Sequence, residues 1–194
     1  MQIAMDDDLL IAKAAKGDAR SFEQLMRRHE GRMYSCALRM CGNREDAQDC
    51  VQEAMLRVFR ALERFKGESS FSTWVYRITM NACLDELRRR KVRSAASLDT
   101  LLESGWTPKD PGELPDSRAE RMERKAALEK AISELPEDMR AAIVLREVHD
   151  LSYEEISQAL DVNVGTIKSR ISRGRERLRQ LIGAQSELFG RNDE

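Results

Sequence analysis

From Ala47 to Leu62 the apolar residues Ala47, Cys50, Val51, Ala54, Met55, Val58, Phe59 and Leu62 recur every three or four positions for more than four turns. An α-helix gathers all of them onto one face, and a helix with such a face must be covered by other helices. Asn43 stands just before the run with Asp46 three residues on, a variant of the capping box that starts a helix. The rest of the chain agrees: Ala, Leu, Arg, Glu and Met are abundant, while Val, Ile and Thr are sparse outside short stretches. The expected fold is all-α, with mostly aliphatic cores because only 5% of residues are aromatic.

A chain of 194 residues can build one ordinary domain or two small ones. Charge divides it. Residues 1–92 carry 17 basic and 14 acidic groups (net +3), residues 93–120 carry 3 and 6 (net −3), and residues 121–194 carry 13 and 14 (net −1). The middle piece holds three of the four prolines and keeps no helical period, so it reads as an irregular acidic linker between two small helical domains, 1–92 and 121–194.

No apolar run approaches the ~20 residues that span a bilayer, and "MQIAMDDDLL" lacks the basic start and apolar centre of a signal peptide. A cytoplasmic protein, not an integral membrane one, is expected. Cys36, Cys41, Cys50 and Cys83 include no CxxC pair and have no secretory context, so they read as reduced thiols. His29, Met33, Cys36 and Met40 share a helical stripe that could be taken for a soft-metal site. Phe22 and Leu25 continue it upstream, which makes it the buried face of a helix. No metal and no cofactor are expected.

The face opposite the 47–62 core stripe carries Asp46, Asp49, Glu53, Arg57 and Arg60. Acids leading bases by four residues would support any exposed helix by a few tenths of a kcal/mol per pair, so this face alone does not imply a partner. After "RFKGESS", where Gly67 breaks the pattern and Ser70 can cap, Phe71, Val75, Ile78 and Ala82 form a second core face. About 80° around that helix lie Trp74, Arg77, Asn81, Leu84 and Arg88. An aromatic plane, an amide and guanidinium groups suit single-stranded nucleic acid. They equally suit a Trp closing the core edge beside a solvated basic tail.

In the C-terminal part, Ser152 and Glu155 form a capping box ahead of Ile156, Ala159 and Leu160, and Asp161-Val162-Asn163 makes a tight turn with Asp161 where a left-handed residue is tolerable. A second helix then carries Val164, Ile167, Ile171, Leu178 and Ile182 on a narrow apolar stripe. Lys168, Ser169, Ser172 and Arg173 lie on its far side, flanked by Arg170, Arg175, Arg177 and Arg179. This is the pattern of a helix-turn-helix whose second helix reads DNA while flanking cations hold phosphates. A merely solvated helix would interleave acids, and here only Glu176 does so.

"SELPEDMRAAIVLREVHDLSYEEISQALDVNVGTIKSRISRGRERL" resembles region 4 of the extracytoplasmic-function (ECF) sigma factors of bacterial RNA polymerase, and "DAQDCVQEAMLRVFRALERF" with "FSTWVYRITMNACLDELRRRK" resembles their region 2. The two blocks stand in the family's order and spacing across nearly the whole chain. Ser157 and Gly174 occupy positions where the family usually has Ala, and Asp161 one where Gly is common. Gly174 is expected to loosen its helix by up to ~1 kcal/mol relative to Ala.

The resemblance implies a specificity subunit and not an enzyme, with no small-molecule substrate. It implies docking of Asp46, Asp49, Gln52, Glu53 and Arg57 on the β′ coiled coil of core RNA polymerase, with the β flap as a further contact. Lys66, Ser69, Ser70, Trp74, Arg77, Asn81 and Arg88 would receive minus-10 promoter DNA, and Thr166, Lys168, Ser169, Arg170, Ser172, Arg173, Arg175 and Arg177 would meet the minus-35 element. The acidic linker would thread toward the active-site and RNA-exit channels. An anti-sigma factor is implied as a controlling partner. The near-neutral total fits a factor that holds free DNA weakly. Two rivals differ in kind: a stand-alone helix-turn-helix regulator, which would bind promoters tightly without polymerase, and a metal or redox sensor built on the cysteines.

Overall fold

Capping residues set the boundaries of most helices. In the computed structural model, which describes residues 7–96 and 117–189, Asp18 accepts from Arg20 N (3.0 Å) to start α2 (Ala19–Cys41), after the short α1 (Asp7–Ala14). Gly42 ends α2 with φ of 78°, a conformation that Gly adopts without strain. Asn43 then caps α3 (Arg44–Ala61), accepting from Asp46 N at 2.9 Å. A 3₁₀ turn, Leu62–Arg64, leads into the Gly67 loop. Ser70 Oγ accepts from Thr73 N (3.1 Å) at the head of α4 (Phe71–Ala96).

α2, α3 and α4 pack on one another around Leu25, Met33, Cys36, Met40, Ala47, Cys50, Ala54, Val58, Val75, Met80 and Cys83. His29 is buried among them, its ring edge-on to Phe71, as expected of a core stripe. Phe59 departs from expectation. It is 52% exposed, at the edge of the α3 stripe, where Phe22 meets its ring edge-on, at 5.0 Å between centroids.

The second group comprises α5 (Ser117–Ser133), α6 (Glu137–Ile143), a π-helical turn (Val144–Val148), α7 (Tyr153–Leu160) and α8 (Val164–Phe189). Ile143, Leu145, Ile156, Ile167 and Ile171 are almost fully buried at its centre. Burying each such side chain contributes about 1.5–3 kcal/mol. Both halves of the Ser152–Glu155 capping box form, and Asp161 takes the left-handed conformation (φ 54°), so the helix-turn-helix is built as its sequence anticipates. Gly174 has a packing role beyond helix propensity. A Cβ placed there would lie 2.7 Å from Ile143 Cγ1, so α8 approaches α6 closely because this residue has no side chain, and Ala would crowd the core before it could stiffen the helix.

Among the described residues there are eight α-helices and no strand, so the fold is all-α. The expected linker, 93–120, begins within α4 and ends within α5, and its expected path through polymerase falls on residues 97–116, outside the described residues.

The two groups touch. Tyr76 Oη lies 2.9 Å from His149 Nδ1, Thr73 Oγ1 donates to Glu155 (3.3 Å), Arg140 Nη1 donates to Met40 O (2.6 Å), and Lys91 pairs with Glu137 (2.8 Å). Covered by α2 and α3 on one side and by α7 on the other, α4 buries Thr73, Tyr76 and Thr79 in addition to its expected core face.

Candidate nucleic-acid and docking interfaces

On α3, Asp49 and Gln52 are exposed and the two residues that follow the same face inward are tied together. Glu53 accepts from Arg57 Nε (2.8 Å), and Arg57 Nη1 donates to Asp85 of α4 (2.9 Å). The hydrogen bond from the Arg57 guanidinium holds the Glu53 carboxyl below its usual range. Asp46 is engaged elsewhere: its carboxylate accepts from Asn43 Nδ2 (2.8 Å) and pairs with Arg90 (2.8 Å), fixing the start of α3 against α4. Leu56, 50% exposed, sits one turn from Gln52 and Glu53. It is an apolar member of the stripe that sequence reading passed over, and its signal was an out-of-phase leucine on a charged face.

α4 presents Trp74, Arg77, Asn81 and Arg88 along one line, with the last three exposed. Trp74 is half-buried, its ring 5.0 Å from that of Phe65 and 5.7 Å from that of Phe71. The indole therefore both closes the core edge and offers one flank outward. Arg88 leans on Asp85 at 3.5 Å. In the preceding loop Lys66 is exposed. Ser69 Oγ donates to Ser70 O (3.4 Å), and the Ser70 hydroxyl is occupied by Thr73 as a helix cap. The face one step around α4, through Thr73 and Tyr76, is the one that α7 and His149 cover.

On α8, Lys168, Ser169, Ser172 and Arg173 all face solvent, opposite buried Ile167 and Ile171. Thr166 is turned back to Asn163 Oδ1, to which its N and Oγ1 donate (2.9 and 3.1 Å), so it serves the helix cap. Arg170 points to α6 and pairs with Asp138 (3.2 Å), and Arg175 grips Glu147 through Nε and Nη2 (2.9 and 2.6 Å). Arg177 reaches only Gln180, at 3.5 Å. A cleft lined by Tyr153, Lys168, Ser172 and Arg173 joins the start of α7 to the outward face of α8, with the Lys168 ammonium 5.9 Å from the Tyr153 ring centroid. Arg173 thus stands uncommitted at a concave edge, and Arg170 and Arg175 must exchange a carboxylate to take a phosphate.

Residues 25–93 match the family model of sigma-70 region 2, and residues 125–178 match that of sigma-70 region 4. The chain is 37% identical over 181 residues to the ECF RNA polymerase sigma-E factor of Escherichia coli, covering 91% of this chain and 94% of that one. It belongs to the ECF sigma factors.

The RNA polymerase sigma-H factor of Pseudomonas aeruginosa is 35% identical over 180 residues (91% of this chain, 93% of the other). The fold of this sigma factor is similar to that of the sigma factor RpoE solved with the anti-sigma factor NepR from Bartonella quintana, with a TM-score of 0.69 and 26% identity over 85% of this chain and 98% of that one. It is also similar to CnrH solved with the cytosolic domain of CnrY, with a TM-score of 0.66 and 26% identity over 92% of this chain and 99% of that one. As a sigma factor the protein directs RNA polymerase to promoters at transcription initiation. No helix among the described residues is long and apolar enough to cross a membrane.

Proposed function

We propose that this sigma factor docks on core polymerase through Asp49, Gln52, Glu53, Leu56 and Arg57 of α3, with Asp46 holding that helix in place. In the same reading it holds melted minus-10 DNA on the Trp74, Arg77 and Asn81 face of α4, and reads the minus-35 element with Lys168, Ser169, Ser172 and Arg173 of α8. The observation that carries it is that two faces of different chemistry stay open in one chain. One is an aromatic ring with an amide and cations, suited to an unstacked base. The other is a recognition helix with short polar groups and an unpaired Arg, suited to a major groove. The division at residues 92 and 121 assigns one reading face to each domain. Lys66, Ser69 and Arg88 border the first face, and Arg170, Arg175 and Arg177 reach phosphates beside the second.

An anti-sigma factor controls the protein in this reading, supported by the solved complex of the similar RpoE with NepR. It acts in the cytoplasm with polymerase, performing no chemistry of its own. Run-off transcription with core polymerase on a promoter library tests the whole: transcripts should appear only when the protein is added. Asn81→Ala should keep core binding, lose strand opening on duplex promoters, and recover on a template mismatched at minus-10, because holding an unstacked base must offset a few kcal/mol. Normal permanganate reactivity of promoter thymines with that variant would reduce the α4 face to structural surface.

A further inference from the structure

Three of the four cysteines, far apart in sequence, meet inside the N-terminal domain. Cys41 ends α2, Cys50 lies in the second turn of α3 and Cys83 lies midway along α4. Their sulfurs all fall within 4.8 Å of one another, with Cys41 and Cys50 at 3.6 Å, and all three residues are buried. The thiols are free, and Cys36, buried one turn earlier on α2, stays outside the group. Packing accounts for a buried cysteine as a small hydrophobe. It does not account for three sulfurs converging from three helices.

The spacing is that of ligands around one ion. Metal–sulfur bonds of roughly 2.3 Å set bound sulfurs about 4 Å apart. Among the described residues no histidine, carboxylate or fourth cysteine joins the three, so the closed four-ligand set of structural zinc is incomplete. Three soft ligands in a dry, apolar setting select a soft ion of low coordination number, which among biological metals is monovalent copper.

Charge points the same way. Cu(I) held by three thiolates releases three protons and leaves two net negative charges in the core. Two guanidinium groups are already beside it. Arg140 crosses from α6 and donates to the carbonyl of Met40, the residue before Cys41, while its buried Nε finds no acceptor. Arg90, which also pairs with Asp46, donates to the carbonyl of Cys41 itself at 3.1 Å. We propose that Cys41, Cys50 and Cys83 form a three-coordinate thiolate site for monovalent copper.

The test uses the reduced full-length protein under anaerobic conditions, with Cu(I) supplied as its acetonitrile complex and bicinchoninate as competing chelator. One equivalent per chain should resist the chelator, and X-ray absorption should show three sulfurs at roughly 2.3 Å and no nitrogen or oxygen shell. Cys50→Ser and Cys41→Ser should each weaken retention at least tenfold while helicity is kept, and Cys36→Ser should leave it unchanged. Loss of all copper to the chelator, a nitrogen or oxygen shell, displacement of the copper by equimolar Zn(II), or undiminished retention in both Cys50→Ser and Cys41→Ser would each overturn the assignment. The absorption spectrum needs only the wild-type chain, so a variant that fails to fold does not remove the test.

Discussion

Acidification should release the helix-turn-helix domain from the N-terminal domain, because the contact between them contains an imidazole with no place for a second proton. His149 Nδ1 meets Tyr76 Oη at 2.9 Å with the rings 4.7 Å apart, and its Nε2 is buried without an acceptor. Burial, helped by the charges of Arg39 and Arg32 on α2 and opposed only by Asp150, lowers its pKa to about 4. Tyr76 offers no anion in exchange, since burial pushes its phenol up to about 12. Once the domains part, the imidazole returns to its ordinary value of roughly 6.5. Between those two values the parted state binds more protons than the docked one, so docking is fully strong above pH 6.5 and weakens as pH falls toward 4. Each pH unit costs about 1.4 kcal/mol, and the whole window about 3 kcal/mol. Small-angle scattering should show a larger radius of gyration at pH 5 than at pH 7.5, and His149→Gln should flatten that dependence. Proton NMR reads the imidazole directly. Titration near 6.5 with the domains still docked, or an unchanged pH response in His149→Gln, would refute the reasoning.

Glu53→Lys should weaken core-polymerase binding by about 2–5 kcal/mol, as for a truncated interfacial charge pair. It should change the melting midpoint little, because a half-exposed pair contributes at most ~1 kcal/mol; wild-type affinity in a titration would remove the docking assignment. Arg173→Ala should relax preference at one or two minus-35 base pairs by ~1–3 kcal/mol, while Arg177→Ala should weaken all promoters alike. Uniform loss from both would exclude base reading by Arg173. Gly174→Ala should destabilise the C-terminal domain, since crowding against Ile143 costs ~1–3 kcal/mol and better helix propensity returns about 1 at most. A raised unfolding midpoint would show that Ile143 moves aside freely.

Periodicity and caps were readable locally because they depend on neighbours within a few residues. Asn43, Ser70, Ser152 and Asp161 each do what their positions in the sequence imply. The exposed line Arg77, Asn81 and Arg88, and the outward set Lys168, Ser169, Ser172 and Arg173, follow from the same 3.6-residue geometry once the apolar faces are known. Which exposed cations are already spent was not readable. Arg170 and Arg175 find Asp138 and Glu147 only after α8 packs against α6 and the turn that follows it, and Asp46 leaves the charged stripe of α3 for Arg90 only because α4 passes beside it.

The linear sequence by itself determined helix type, helix ends, the helix-turn-helix and the polarity of each face, because all of these are set by local spacing. Tertiary structure alone decided what distant residues share: the second covered side of α4, where Tyr76 meets His149, the close approach that demands Gly174, and the gathering of Cys41, Cys50 and Cys83. No local pattern encodes these, since each contact joins elements separated by a turn or a whole domain, and the distance between them is fixed only when their apolar faces pack.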